Sequence, residues 1–206
     1  MIGDFAAEFW NRRAQETEGS IRWTDDAMLR HDRLVVGSVL PPSGGSLLDL
    51  GCGTGDLFAG FLDRLEHVTA VDMVATFVDR LPKNPKVDGV VSGLTSFEPT
   101  RVYDTGVLFG VVTHLTPDDE MSVYRLLRRA VPKLGAVVVK NQCSRGEELL
   151  VDRLSEAFGQ RYVGRYPSIE GQRDRLALFF DEVAVRPYPE ELNPWPESQH
   201  VAFVCR

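Results

Sequence analysis

Leu47-Leu48-Asp49-Leu50-Gly51-Cys52-Gly53-Thr54-Gly55-Asp56 decides how the rest of the chain is read. An apolar strand (Leu47 to Leu50) runs into glycines at every second position, and a segment with helical apolar spacing follows. Glycine allows the sharp turn and lets a ligand approach main-chain N–H groups that a β-carbon would shield. A second apolar run, Val68 to Val71, ends on an acid, Asp72. An acid at the end of the second strand of a βαβ unit is placed to bind both hydroxyls of a ribose. These features predict a nucleoside lying across the carboxyl ends of the first two strands.

The glycine spacing narrows the ligand. Dinucleotide sites use G-x-G-x-x-G and turn a helix N-terminus toward a pyrophosphate. Here the spacing is G-x-G-x-G, with Asp49 just before the turn and Asp56 just after it. Two carboxylates are poor company for a phosphate and good company for a cation. S-adenosylmethionine (SAM) combines an adenosine with a sulfonium and an ammonium group and carries no phosphate. The passage resembles the first motif of class I SAM-dependent methyltransferases, D-x-G-x-G-x-G, and matches it at every defining position. The resemblance implies an α/β fold: a mostly parallel, seven-stranded, Rossmann-like sheet with helices on both faces and an antiparallel C-terminal hairpin. The seventh strand is inserted between the fifth and sixth.

Working outward, Asp4 to about Gln15 and Asp26 to Val39 read as helices, with Thr24 or Asp25 as N-cap of the second. Pro41-Pro42-Ser43-Gly44-Gly45 delivers the chain to the first strand. Leu57, Phe58, Phe61, Leu62 and Leu65 recur at helical spacing. Val68–Asp72 is the second strand, Val74–Leu81 a helix stopped by Pro82, Val87–Ser92 the third strand and Val107–Val112 the fourth. Glu120–Val131 is helical and Ala136–Lys140 is the fifth strand. Glu147–Phe158 and about Ile169–Phe179 read as helices, and Val183–Val185 and Val201–Val204 as strands. A proline-rich turn with no crossover helix joins those two strands, so they should pair antiparallel. The expected organisation is a single domain, 1–206, with residues 1–40 as a helical lid.

Bulk properties agree with a globular enzyme. Of the 206 residues 43% are hydrophobic, and no apolar run approaches a membrane span. Cys52, Cys143 and Cys205 form no C-x-x-C pair, and the N-terminus lacks the pattern of a secretory signal. A reduced, cytoplasmic setting is expected, with no membrane partner. A net charge of −7 and scattered basic residues argue against a nucleic-acid partner. Oligomeric state is not legible.

On the methyltransferase resemblance, Gly51, Cys52, Gly53 and Gly55 bring backbone to the methionine part of SAM, and Asp49 orders the groups around its ammonium. Asp72 takes the ribose hydroxyls, or as a strand-end acid caps the next helix. Met73 lies against the adenine, or packs in the core. The family usually carries Gly-Asp after the third strand. Here Gly93-Leu94-Thr95 lacks the acid, leaving Leu94 to pack on adenine and Thr95 or backbone to meet its polar edge. Phe109 and Gly110 close the fourth strand on the same cofactor. Phe9-Trp10-Asn11-Arg12-Arg13-Ala14 resembles the aromatic-x-x-Arg-Ala opening of small-molecule methyltransferases, in which Trp10 and either Arg13 or Arg12 would close over the methionine carboxylate. Gly93-Leu94, Tyr103-Asp104, His114-Leu115-Thr116 and the Val-Val-Lys ending of strand five are similar to protein α-N-terminal methyltransferases. The Lys-Asp-Asn of those enzymes is Lys140-Asn141-Gln142 here, without the acid that would hold a cationic amine unless Glu147 or Glu148 replaces it.

Methyl transfer from a sulfonium is an in-line displacement, so the protein chiefly holds the acceptor lone pair on the methyl–sulfur axis. A base is needed only when the acceptor loses a proton. His114, following strand four, is the candidate base, the alternative being a structural ring that pins its loop. Asn141 and Gln142 are candidate acceptor-binding residues. His31, His67 and His200 read as surface or packing residues. Asp118-Asp119-Glu120 read as acids meeting a helix dipole rather than as a metal site, and no metal is expected. The leading expectation is methyl transfer to N or O of a small metabolite. The alternatives are a peptide N-terminus as acceptor, or a SAM-binding protein without transfer activity.

Overall fold

The computed structural model describes residues 2–16, 26–155 and 159–206. The chain begins with α1 (Ile2–Glu16) and α2 (Asp26–Gly37), followed by β1 (Ser46–Leu50), α3 (Asp56–Ala59), β2 (His67–Asp72), α4 (Ala75–Asp79), β3 (Val87–Val91) and β4 (Thr105–Phe109). It continues with α5 (Pro117–Ala130), β5 (Ala136–Ser144), β6 (Leu149–Ser155), β7 (Gln160–Tyr166), α6 (Ile169–Ala177), β8 (Val183–Pro187) and β9 (Ser198–Cys205). The N-cap candidates Thr24 and Asp25 lie outside the described residues.

Seven strands form one sheet in the order β3-β2-β1-β4-β5-β9-β8. The first five are parallel to their neighbours, and β9 runs antiparallel to both β5 and β8. The expected insertion of the last strand between the fifth and sixth is what is observed. Strand periodicity divides the core by face. Leu48, Leu108, Val137 and Val139 pack with Tyr124 and Leu127 of α5 and Leu176 of α6. Leu47, Val68, Val107 and Val138 pack on the opposite face with Val35 and Val36 of α2 and with Phe58. Burial of each such side chain contributes roughly 1.5–3 kcal/mol, which holds helices on both faces and leaves the strand ends to carry the site.

Several elements differ from expectation. The helix after the glycine turn is one turn long, and bonds of the i→i−3 type follow from Phe61 to Phe58 and from Arg64 to Phe61. Gly60 caps it, yet Leu57, Phe58, Phe61 and Leu65 are all buried. The spacing therefore reported burial correctly and helix length incorrectly. Strand β4 ends at Phe109, because Gly110 at φ 72° turns the chain and Val112–His114 close a 3₁₀ turn. Strand β5 runs on to Ser144 because β9 offers it a partner for the whole length.

The largest correction concerns the predicted helix Glu147–Phe158. Residues 149–155 are strand β6, paired antiparallel with β7 in a two-stranded sheet of its own, and 156–158 lie outside the described residues. Tertiary pairing overrides local propensity here. An isolated hairpin is marginal in water, and a buried ion network ties this one down. Glu120 of α5, fully buried, pairs with Arg165 of β7 and with Arg175 of α6, whose Nε lies 3.0 Å from Glu120 Oε1. Arg165 also reaches Glu148 at 2.8 Å. Tyr124 donates to Glu120 at 2.7 Å, and Gln172 donates to Tyr124 at 3.1 Å. Glu120 is thus an interior ion partner and not a dipole acid, and Glu148 is engaged with Arg165. No described helix is long and apolar enough to cross a membrane.

Removing one partner of a buried pair strands the other charge, at a cost of about 3–5 kcal/mol. Glu120→Ala should therefore lower stability by that order in urea denaturation. A loss below about 1 kcal/mol would show that the hairpin is held by other contacts.

Candidate active site at the strand ends

The glycine turn is docked on the end of β2. Gly51 and Cys52 N–H groups both donate to the Val71 carbonyl, at 2.8 and 3.0 Å. Gly51 has φ 73°, and a β-carbon there would stand 2.3 Å from Val111 Cγ2. Only glycine fits. The Asp72 carboxylate accepts from Gly53 N–H at one oxygen and from Val74 N–H at the other, each at 2.9 Å. Burial raises the Asp72 pKa, opposed by those donors and by the Met73 N–H. The Asp72 carboxylate thus holds the Val74 N–H just ahead of α4, as the capping reading expects, and it also lines a cavity with acceptor capacity remaining at each oxygen.

That cavity, of about 770 Å³, lies over the carboxyl ends of the central strands, within the range typical of small-molecule sites. Asp49, Gly51, Cys52 and Gly53 line it from β1 and the turn, and Asp72 and Met73 from β2. Leu94 and Thr95 contribute after β3, and Phe109, Gly110 and His114 after β4. Trp10 reaches it from α1 and Gln142 from β5. Burial together with Asp49 and Asp72 pushes the Cys52 thiol up, so it stays protonated.

Three expected site residues are not in the lining. Gly55, at φ 81°, precedes α3 and packs against Phe58, serving the turn alone. Arg13 is half-buried on α1 beside the cavity-facing side. Asn141 points to the opposite face of the sheet, where its amide donates to Gln172 Oε1 at 3.3 Å. Alternation along β5 explains this last case: Lys140 and Gln142 share the cavity face, and Asn141 between them cannot.

His114 packs edge-on between Trp10 and Tyr162, with ring centroids 5.5 and 5.7 Å away. Burial lowers its pKa to about 4, so the ring is neutral near pH 7 and only weakly basic. Hairpin residues Arg153, Tyr162 and Tyr166 line the cavity and were missed in the sequence, as was His200. Tyr162 and Tyr166, four apart on one strand face, carried a period-two signal that the helix reading of the preceding segment obscured. Lys140 Nζ lies 3.7 Å from Asp32 Oδ1 and 5.6 Å from the centre of the Tyr188 ring. Burial, then the Lys140 charge, lowers the His200 pKa to about 3.

Residues 47–135 match the family described as a methyltransferase domain. That stretch, less than half of the chain, is similar to a methyltransferase domain. The fold is shared with solved methyltransferases at low identity. The 1,6-didemethyltoxoflavin-N1-methyltransferase of Burkholderia thailandensis, bound to 1,6-didemethyltoxoflavin and S-adenosylhomocysteine, is 21% identical with a TM-score of 0.70, over 100% of this chain and 86% of that one. The glycopeptide N-methyltransferase MtfA complexed with SAM is 18% identical with a TM-score of 0.68, over 86% and 94%. DhpI, in a complex with SAM and HEP, is 17% identical with a TM-score of 0.70, over 98% and 95%. No curated protein sequence matches. The lining suits a cationic ligand without a phosphate: the turn offers acids and backbone, and a β-carbon at Gly51 would stand 2.3 Å from Val111 Cγ2.

The protein should lose stability in acid through its histidines. Below about pH 6.5 the unfolded chain binds protons that the folded chain refuses until about pH 4 at His114 and about pH 3 at His200. Stability is thus full above pH 6.5 and declines as pH falls through that window. Urea midpoints between pH 7 and 4 should fall more steeply for the native protein than for His114→Phe. Parallel slopes would contradict a buried neutral ring.

Proposed function

We propose that the enzyme transfers the SAM methyl group to N or O of a small metabolite within this cavity. The observation that carries this reading is the enclosure of the acceptor end by the β6–β7 hairpin and α1. Phe9 of α1 meets Tyr162 edge-on at 5.8 Å, closing a volume suited to a compact acceptor. A protein α-N-terminus is disfavoured because the strand-five position expected to hold its ammonium is Asn141, which faces away, and Glu148 is tied to Arg165.

In this reading Asp72 takes the ribose hydroxyls, while Gly51, Cys52 and Gly53 meet the methionine portion and Asp49 orders its ammonium group. Met73, Leu94 and Thr95 face the adenine, and Phe109 and Gly110 lie under the transferred methyl. Trp10 forms part of an N-terminal lid on a single domain spanning 1–206. His114 holds the proton-bearing atom of the acceptor on the methyl–sulfur axis. Its low basicity favours orientation by hydrogen bond over full proton removal, and suits an acceptor whose lone pair is free at neutral pH.

Incubation with methyl-labelled SAM should place label in a metabolite extract and not in a peptide library. Label in peptides would favour the N-terminal reading, and label in neither, despite SAM binding, the non-catalytic one. Asp72→Ala should weaken SAM binding by roughly 1–3 kcal/mol in calorimetry; unchanged affinity would contradict the ribose assignment. His114→Ala should lower turnover more than SAM affinity, whereas equal losses would mark a purely structural ring.

A further inference from the structure

The cavity is lined by charges of both signs, carried on different elements. Among the described residues its acids are Asp49, Asp56, Asp72 and Asp119, on the glycine turn, the end of β2 and the start of α5. Asp119 there accepts the Thr116 hydroxyl at 2.7 Å. Its lysine and arginine are Lys140 of β5 and Arg153 of β6 in the hairpin. Their acidic partners stand behind the wall: Asp32 is fully buried beneath Lys140, and Glu197 is 3.3 Å from Arg153. Neither acid lines the cavity.

We propose that the methyl acceptor carries a carboxylate, received by Lys140 and Arg153 with the Gln142 amide, while Tyr162, Tyr166 and Trp195 flank the rest of the molecule. This rests on the reading of the cavity as the site of SAM and acceptor. Asp32 already accepts the Tyr188 hydroxyl at 2.8 Å, so its charge is shared, and the Lys140 ammonium has three donors to satisfy. Lys140 meets Asp32 behind the wall and presents the same charge to the cavity, where a carboxylate would receive charge-assisted hydrogen bonds. The Gln142 amide nitrogen is held by the Ser198 hydroxyl at 2.7 Å, which fixes the orientation of the group beside that cation. The effect of the Lys140 charge at the wall is visible at His200, whose basicity it helps to depress. Aromatic side chains on the remaining walls suit a planar or partly apolar body.

Benzoate and benzamide, equal in shape and different in charge, test this against the protein loaded with S-adenosylhomocysteine, read by ligand-observed NMR titration. Benzoate should bind at least roughly tenfold more tightly, as expected for a charge-assisted contact. The charge-balanced pair Lys140→Met with Asp32→Asn should abolish the preference while leaving affinity for S-adenosylhomocysteine within about twofold. Arg153→Gln, at a half-exposed position, should reduce it partially and keeps the test decisive if the buried pair does not fold. Equal binding of the two probes, or a preference for benzoate that survives both variants, would overturn the carboxylate assignment and leave the methyltransferase reading intact. Failure of S-adenosylhomocysteine to bind the native protein would instead overturn the cofactor reading, and this inference with it.

Discussion

The docking of the glycine turn onto the last two residues of β2 is the constraint on which the rest of the site depends. One carbonyl, that of Val71, takes two turn N–H groups, and one carboxylate, that of Asp72, takes a third. The side-chain bond that Thr54 makes, to Asp56, is local, and left-handed φ values at Gly51, Gly53 and Gly55 leave the turn without regular secondary structure. Its shape therefore comes from the neighbouring strand. The carboxylate that binds the turn also lines the cavity, so the wall of the site and the local fold share one group. A carboxylate held by backbone donors is pre-oriented, and its entropy of ordering is spent in folding and not in binding.

A second, independent constraint shapes the acceptor side. Glu120 and Arg165 are both removed from water, and each needs the other. Their pairing fastens the β6–β7 hairpin to α5, and the bonds to Arg175 and Glu148 extend the hold to α6 and to the approach to β6. The two tyrosines and the arginine of the hairpin that line the cavity are positioned by an ion cluster on its other side. This wall of the cavity is thus built on an element outside the main sheet.

The parts that were legible in the sequence were those governed by local chemistry. Strands β1, β2 and β3, the sharp turn, Asp72, and the antiparallel ending all follow from short patterns whose meaning does not depend on distant residues. The errors have a common source. Glu147–Phe158 read as helical because its partner strand was not visible, and pairing decides a segment with mixed propensity. Asn141 read as a site residue because it sits at a strand end, but alternation turned it to the far face. His200 read as a packing residue because nothing near it in sequence shows that β9 lies beside β5, opposite Gln142.

By itself, then, the sequence determined the sheet class, the place of the glycine turn and the acid beside it at the end of β2, because glycine conformation and strand periodicity act over a few residues. Only the tertiary structure decided which elements wall the cavity, which of Lys140, Asn141 and Gln142 line it, and how far the basicity of His114 is lowered. Those outcomes depend on burial and on charge pairs between residues distant along the chain, such as Glu120 with Arg165 and Asp32 with Lys140. Desolvation is a property of the folded surroundings, and no stretch of sequence carries it alone.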